Sequence, residues 1–266
     1  MLLDFNKPVA IGKIGSSECR AVYATVEDNQ MTNLDYHDIF IGAGVFPPTV
    51  PSLEDFATIF TDDLKDMDTV AKWMGDDEDA LLKRYCPDAR LITLRELEPY
   101  YWEESWSKGL EHKKVLVISP FSDTITKQYE KREDLWKRED ILPPFTLKTI
   151  KCPLSWYLKH GDSAQLPTAD SWMEELSRLK EKMEKESFDV CLVGAGAWSI
   201  PLAVHAKRLN KIGIHLGGSL QILFGIKGKR WDEHDVISAF YNDAWVRPSE
   251  KETPTTSFKV EGGCYW

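Results

Sequence analysis

Short apolar runs alternate along the chain with segments whose apolar residues recur every three or four positions. The clearest run, 113–121, has an unbroken Val-Leu-Val-Ile centre, which is typical of a strand buried on both faces of a parallel sheet. Comparable runs predict further strands at 8–15, 89–94, 145–153, 188–196 and 211–218. Because helical stripes separate these runs, we predict a single α/β domain over 1–266. It is Rossmann-like, with a mostly parallel sheet and helices on both faces.

Three segments are less regular. The run 37–47 predicts another strand, and 66–74 fits either a strand or a short helix. An aromatic-rich helix is predicted around Trp102 and Trp106.

Composition narrows the classes of function. The 266 residues carry a formal net charge of -10, which argues against general binding to nucleic acid. Five scattered cysteines without a CxxC pair fit buried thiols in a reducing compartment. The start of the chain lacks the features of a signal peptide, and no apolar run is long enough to span a membrane. These features predict a cytoplasmic protein; they leave its oligomeric state open.

Ligands of open parallel sheets bind beyond the carboxyl ends of the strands, and four predicted strand ends combine small or polar residues with the start of a helix. They are 12–18, 119–124, 194–199 and 215–221. Free amides at helix starts suit a phosphate or carboxylate. The candidate binding residues in these segments are Gly15, Ser16, Ser119, Phe121, Ser122, Gly194, Ala195, Gly196, Trp198, His215, Gly217, Gly218 and Gln221.

The third strand end, Gly-Ala-Gly-Ala-Trp-Ser, resembles a dinucleotide fingerprint in part. Ser199 occupies the position of the third glycine, and the next predicted strand ends in His215 where an acidic ribose-binding residue is expected. Read alone, the segment is a tight turn. Read with the other three ends, it predicts a site for a phosphate-bearing ligand, provided that all four loops line one cleft.

Charged candidates flank these loops. Lys227 and Arg230 lie in a basic stretch that fits either a solvated helix end or the neutralisation of a diphosphate. Glu18 and Asp123 each follow a strand at the start of a helix, where a carboxylate either stabilises the helix or acts as a general base. The six histidines show no HxH or HExxH spacing for a metal.

Two stretches, IGKIGSSE and GAGAWSIPLAVHAKRLNKIGIHLGG, resemble GT-D-type glycosyltransferases and related polysaccharide-biosynthesis proteins of bacteria and large viruses. The segments EPYYWEESWSKGLEHKKVLVISPFSDTITKQYEKREDLW and HLGGSLQILFGIKGKRW extend the resemblance over most of the chain. In that family an Arg-x-Gly-Asp-x-Glu-like element handles the nucleotide sugar and its Mn²⁺ or Mg²⁺. Gly15 and Glu18 match this element. Ser16 replaces its first acid, and a neutral hydroxyl is a poor ligand for such a metal.

The resemblance implies transfer of a hexose or pentose from a nucleoside-diphosphate donor, a UDP-sugar such as UDP-xylose, to a glycan or glycoprotein acceptor. Glu18 or Asp123 would then be the base, and Arg230 or Lys227 would stabilise the leaving group. Two alternatives stay open. One is another nucleotide-dependent enzyme, a methyltransferase or dehydrogenase; the other is a non-catalytic subunit that binds sugar nucleotides.

Overall fold

A computed structural model describes residues 4–28, 39, 42, 44–154, 167 and 169–266. The strands of these residues pair in the order β3-β2-β1-β7-β6-β4-β5, and every pair is parallel. The parallel α/β sheet predicted from the sequence is therefore confirmed. The strands are β1 Val9–Gly12, β2 Thr69–Lys72, β3 Arg90–Thr93, β4 Lys114–Ser119, β5 Thr146–Lys151, β6 Val190–Val193 and β7 Ile212–His215. Segment 66–74 thus contains a strand. Of the strand predicted at 37–47, residues 37, 38, 40, 41 and 43 lie outside the described residues, and none of the other six is in a strand.

Burial explains why the central strands read as continuous apolar runs. All four residues of β6 are buried, as are the residues of β4 from Val115 onward. Successive side chains of β4 enter different cores: Leu116 and Ile118 lie in one, and Val115 and Val117 lie in the other. The sheet therefore separates two apolar layers, as expected for a parallel sheet covered on both faces.

Helices cover both faces. The helices are α1 Ser16–Tyr23, α2 Val50–Leu64, α3 Asp76–Tyr85, α4 Leu94–Leu97, α5 Ser122–Tyr129, α6 Arg132–Leu135, α7 Trp172–Glu184, α8 Ser199–Arg208 and α9 Ser219–Leu223. Apolar side chains of α1, α2, α3, α7 and α8 fill one core. Those of α5, α6 and α9 fill the other, together with aromatic residues of irregular segments.

The aromatic-rich helix predicted around Trp102 and Trp106 is wrong. The chain there forms the 3₁₀ turns Pro99–Tyr101 and Trp106–Leu110. Both indole N–H groups donate to backbone carbonyls of the preceding segment, 2.7 Å from Trp102 to Arg95 and 2.9 Å from Trp106 to Leu97. These tertiary hydrogen bonds, which a helical pattern does not predict, hold the rings in place.

The connections explain where the sheet opens. The chain leaves β1 and β6 toward α1 and α8 on one face, whereas it leaves β4 and β7 toward α5 and α9 on the other. Neighbouring strands in the series β1-β7-β6-β4 thus send their connections to opposite faces. Such reversals open a crevice at the carboxyl ends of the strands. Among the helices of the described residues, none has the length and apolar character needed to cross a membrane.

Candidate functional site

A cavity of about 210 Å³ lies at the carboxyl ends of β1, β7, β6 and β4. All four predicted strand ends contribute to its lining, so the structure brings together loops that are far apart in sequence. The predicted residues on its wall are Gly15, Ser16, Glu18, Ser119, Phe121, Gly194, Ala195, Gly196, Trp198, His215, Gly217, Gly218, Gln221 and Arg230.

Three predicted residues lie outside this wall. The carboxylate of Asp123 is exposed and pairs with Lys151 at 3.4 Å, because the start of α5 directs it toward β5. Ser122 is buried at the first position of the same helix. The ammonium of Lys227 lies 5.2 Å from the centre of the Tyr241 ring, away from the cavity. The strands end where the sequence predicts, whereas these three residues lie outside the cavity wall.

Ser199 stabilises the turn at the third strand end, 194–199. Its Oγ accepts the backbone N–H of Ala195 at 2.9 Å, and the N–H of Gly194 donates to Ile118 at 2.9 Å. The serine at the sixth position therefore closes a turn, and the first two amides of that turn are already used. Trp198 is also engaged, since its indole donates to the carbonyl of Trp172 at 3.1 Å.

Free amides occur instead at the starts of α1 and α9. Ser16 and Gly218 line the cavity, and the backbone N–H of each has no acceptor within the part of the chain that the structure describes. Gly217 adopts φ +59°, a conformation that glycine reaches without strain, and this bend leads into α9. Two helix starts therefore face one cavity, which is the arrangement that favours an anion.

Lys13, which the sequence analysis missed, lies between these two helix starts. A Cβ on Gly217 would lie 3.1 Å from its Cε, and its ammonium is 5.0 Å from the centre of the Trp73 ring. Burial lowers the pKa of Lys13, while Glu18 and Glu98 oppose that shift. Burial also raises the pKa of Glu98 to about 7, and the nearby charge of Lys13 acts against this increase. A cation thus lies beside the free amides.

Glu18 projects from the first turn of α1 and folds back over Gly15. A Cβ on Gly15 would lie 2.7 Å from the carboxyl carbon of Glu18, so glycine makes room for this carboxylate. Burial raises the pKa of Glu18, and its own backbone amide and the ammonium of Lys13 oppose the shift. A half-buried carboxyl with a raised pKa has the properties of a general base.

His215 ends β7 on the cavity wall. Its Nδ1 lies 3.4 Å from the carbonyl oxygen of Val193. Burial and the nearby Lys13 lower the pKa of His215 to about 3, so the ring is neutral near neutral pH. It therefore offers hydrogen bonds to a ligand and adds no positive charge.

Arg230 supplies the second cation of the wall. Its guanidinium forms an ion pair with Glu261 and lies 4.7 Å from the centre of the Tyr265 ring. The neighbouring Trp231 ring is 5.6 Å away. Because aromatic faces and a carboxylate hold the guanidinium, its position is defined before a ligand arrives.

The segment 249–266 completes the wall and is anchored by Glu252. This fully buried carboxylate accepts the backbone N–H of Asp123 at 2.9 Å and that of Thr124 at 3.2 Å. Its own carbonyl accepts the indole N–H of Trp266 at 2.7 Å. The aromatic end of the chain is therefore anchored at the site.

The donors on the wall do not fit a divalent metal held by the protein alone. Glu18 lies near the ammonium of Lys13, and Glu261 is paired with Arg230. Ser16 contributes a neutral hydroxyl. Among the described residues, no three histidine, cysteine, aspartate or glutamate side chains are grouped in a way that would hold a metal ion.

Sequence reasoning also missed the aromatic residues Trp73, Tyr265 and Trp266, which line the cavity. A signal for Lys13 was present, since it is the only lysine or arginine in the four strand-end segments. Trp73 directly follows β2 and lies two residues before Gly75, a single glycine at the start of α3 that was not counted among the candidate strand ends. Residues 265 and 266 reach the site through long-range packing alone.

Comparison with known proteins gives no further assignment. The chain matches no protein-family model, no curated protein and no solved structure.

Proposed function

We propose that this protein is a glycosyltransferase that transfers a sugar from a nucleoside-diphosphate donor, a UDP-sugar, to an acceptor hydroxyl. One observation carries the proposal: the ammonium of Lys13 and the free amides of Ser16 and Gly218 border one cavity that also contains the carboxyl of Glu18. Cations and helix starts suit a diphosphate, and a carboxyl with a raised pKa suits the deprotonation of a hydroxyl.

Binding follows from the charges of the wall. Lys13 and Arg230 neutralise the diphosphate, and the amides of Ser16 and Gly218 donate to its oxygens. A volume of about 210 Å³ is below the roughly 300–1,000 Å³ of pockets that enclose a drug-sized ligand. The cavity therefore encloses the diphosphate and the adjoining sugar, while the nucleoside extends beyond it.

The chemical step is a displacement at the anomeric carbon. The acceptor oxygen forms a bond to that carbon as its proton passes to the Glu18 carboxylate. The bond between the anomeric carbon and the phosphate oxygen breaks, and the electron pair leaves with UDP. Lys13 and Arg230 stabilise the negative charge that develops on the leaving diphosphate.

Asp123 is not assigned the role of base, because its carboxylate lies outside the cavity and pairs with Lys151. This position makes it the matched control. We expect Glu18→Gln to lose at least about 100-fold in turnover, the lower range of general-base catalysis, while donor binding is retained. Asp123→Asn should keep the turnover of the wild type.

The test combines thermal shift with product release. UDP, UDP-xylose and UDP-glucose are each compared with S-adenosylmethionine and NAD for their effect on the melting temperature. We expect the uridine diphosphates to stabilise the protein and the other two to have no effect.

Release of UDP from each UDP-sugar is then measured with and without glycan acceptors. Stabilisation by S-adenosylmethionine or NAD alone would overturn the proposal. UDP binding without any UDP release would indicate a non-catalytic binding subunit.

A further inference from the structure

Glu261 brings a second carboxylate to the cavity wall, besides that of Glu18. It lines the cavity and forms an ion pair with Arg230, one of the two cations that the proposed function assigns to the diphosphate. Its charge also acts on the other cation, because Glu261 opposes the lowering of the pKa of Lys13. The carboxylate of Glu261 therefore lies where its negative charge acts on the same groups that bind a diphosphate.

The charges of the side chains on the wall nearly balance. The cations are Lys13 and Arg230, and the carboxylates are Glu18 and Glu261. A carboxylate close to a diphosphate repels it, and the repulsion is stronger in a cavity than in bulk water. Glu18 is retained as the base of the proposed reaction. Glu261 is then the carboxylate whose departure leaves both cations available to the ligand.

The position of the Arg230 guanidinium does not depend on Glu261 alone. The centre of the Tyr265 ring is 4.7 Å from the guanidinium, and that of the Trp231 ring is 5.6 Å away. These aromatic faces attract the cation by themselves. The side chains of the ion pair are 36% and 48% exposed, and ion pairs between partly exposed side chains are weak. The guanidinium can therefore stay in place when the carboxylate leaves.

The backbone at Glu261 suits a segment that changes conformation. Glu261 has φ +45°, in the left-handed region that is uncommon for residues other than glycine. Gly262 and Gly263 follow with φ +68° and +82°, and glycine reaches other conformations easily. The Glu261 carboxylate also accepts a hydrogen bond from the Cys264 thiol at 3.2 Å. The contacts of this side chain thus hold an unfavourable backbone conformation, which can relax when they are lost.

We propose that Glu261 is an internal competitor of the donor: its carboxylate occupies the Arg230 guanidinium, and binding of the diphosphate displaces it into solvent. The contact is autoinhibitory, because the free energy needed to break it is subtracted from the free energy of donor binding. Since Arg230 receives the diphosphate only under the proposed function, the competition rests on that function.

Isothermal titration calorimetry with inorganic diphosphate and with UDP measures the competition. Glu261→Gln keeps the shape of the side chain and removes its charge. We expect the dissociation constants for both ligands to fall about three- to fivefold, the upper part of the range for partly exposed ion pairs. Glu250→Gln is the control, because it removes the same charge from an exposed residue of the segment 249–266 that does not line the cavity. It should leave both dissociation constants unchanged.

A double-mutant cycle separates competition for Arg230 from a general effect of charge. In Arg230→Gln the carboxylate has no guanidinium to occupy, so adding Glu261→Gln should change the dissociation constants by less than about twofold. Glu261→Asn is the second variant, because asparagine adopts the left-handed conformation more readily than other residues with a side chain. It replaces Glu261→Gln in the cycle if that variant does not fold.

Two results would overturn the inference while leaving the proposed function intact. The first is binding of UDP by the wild type with equal or weaker binding by Glu261→Gln, which would make this carboxylate a positioning group for Arg230. The second is an equal gain in affinity with and without Arg230, or in Glu250→Gln, which would show an effect of net charge alone. If neither the wild type nor Glu261→Gln binds UDP, the proposed function fails, and this inference fails with it.

Discussion

The guanidinium of Arg230 lies 4.7 Å from the centre of the Tyr265 ring and pairs with Glu261. Two residues from the last part of the described chain thus hold a cation against the wall formed by the β7 loop. These contacts fix the guanidinium before a ligand binds. Less conformational entropy of this side chain is therefore lost when a diphosphate binds.

Removal of this cation should weaken donor binding. A hydrogen bond to a charged group contributes about 1.5–3 kcal/mol, so Arg230→Gln should raise the dissociation constant for UDP about 10- to 100-fold. Isothermal titration calorimetry measures this change. Lys227→Gln is the control, because Lys227 is a nearby cation outside the cavity. Equal weakening in both variants would mean that net charge, and not the position of Arg230, attracts the ligand.

The pKa of Glu18 should respond to Lys13. Burial raises this pKa and the Lys13 ammonium lowers it, so Lys13→Gln should raise it further. A base acts only when deprotonated, and the acid limb of the pH profile of kcat/KM should therefore move to higher pH in the variant. Steady-state rates across the acid range give the position of the limb. An acid limb that stays in place or moves to lower pH would show that another group is the base.

Gly194 keeps two turns close together. A Cβ there would lie 2.9 Å from the carbonyl oxygen of Gly217 and 3.0 Å from a methyl group of Leu220. Gly194→Ala should therefore destabilise the fold by about 1–3 kcal/mol, as other overpacked cores are destabilised, and should also weaken UDP binding. Urea unfolding and calorimetry measure the two effects. A variant with unchanged stability and affinity would show that the turns separate without consequence.

The neutral His215 should make stability depend on pH. Its pKa is lowered to about 3 in the folded protein, whereas the unfolded chain binds the proton at the ordinary value. Between about pH 6.5 and pH 3 the unfolded state thus binds more protons than the folded state, and the free energy of unfolding falls as the pH decreases through this range. The contribution reaches about 1.4 kcal/mol per pH unit for one proton. His215→Gln should flatten this slope in urea unfolding, whereas His112→Asn, at an exposed histidine, should not.

The sequence allowed the position of the site to be predicted better than its chemistry. Parallel strands place their carboxyl ends at one edge, so Glu18 and Gly217 could be assigned to one region from apolar runs alone. The directions of side chains depend on the phase of each helix start, which is why the sequence did not show that Asp123 lies outside the cavity and that Lys13 lines it. Trp73, Tyr265 and Trp266 depend on contacts between distant segments, and a local pattern carries no information about them.

Glu252 has a consequence for the order of folding. Its carboxylate is bonded to Thr124 at the start of α5, 128 positions earlier in the chain. Closing a chain segment of that length costs conformational entropy. Contacts of such long range form slowly, after the local elements that they connect. The strand ends can therefore assemble before the segment 249–266 docks. The contact between Arg230 and the Tyr265 ring then forms only in the late steps of folding. Binding competence should consequently appear after most of the secondary structure has formed during refolding.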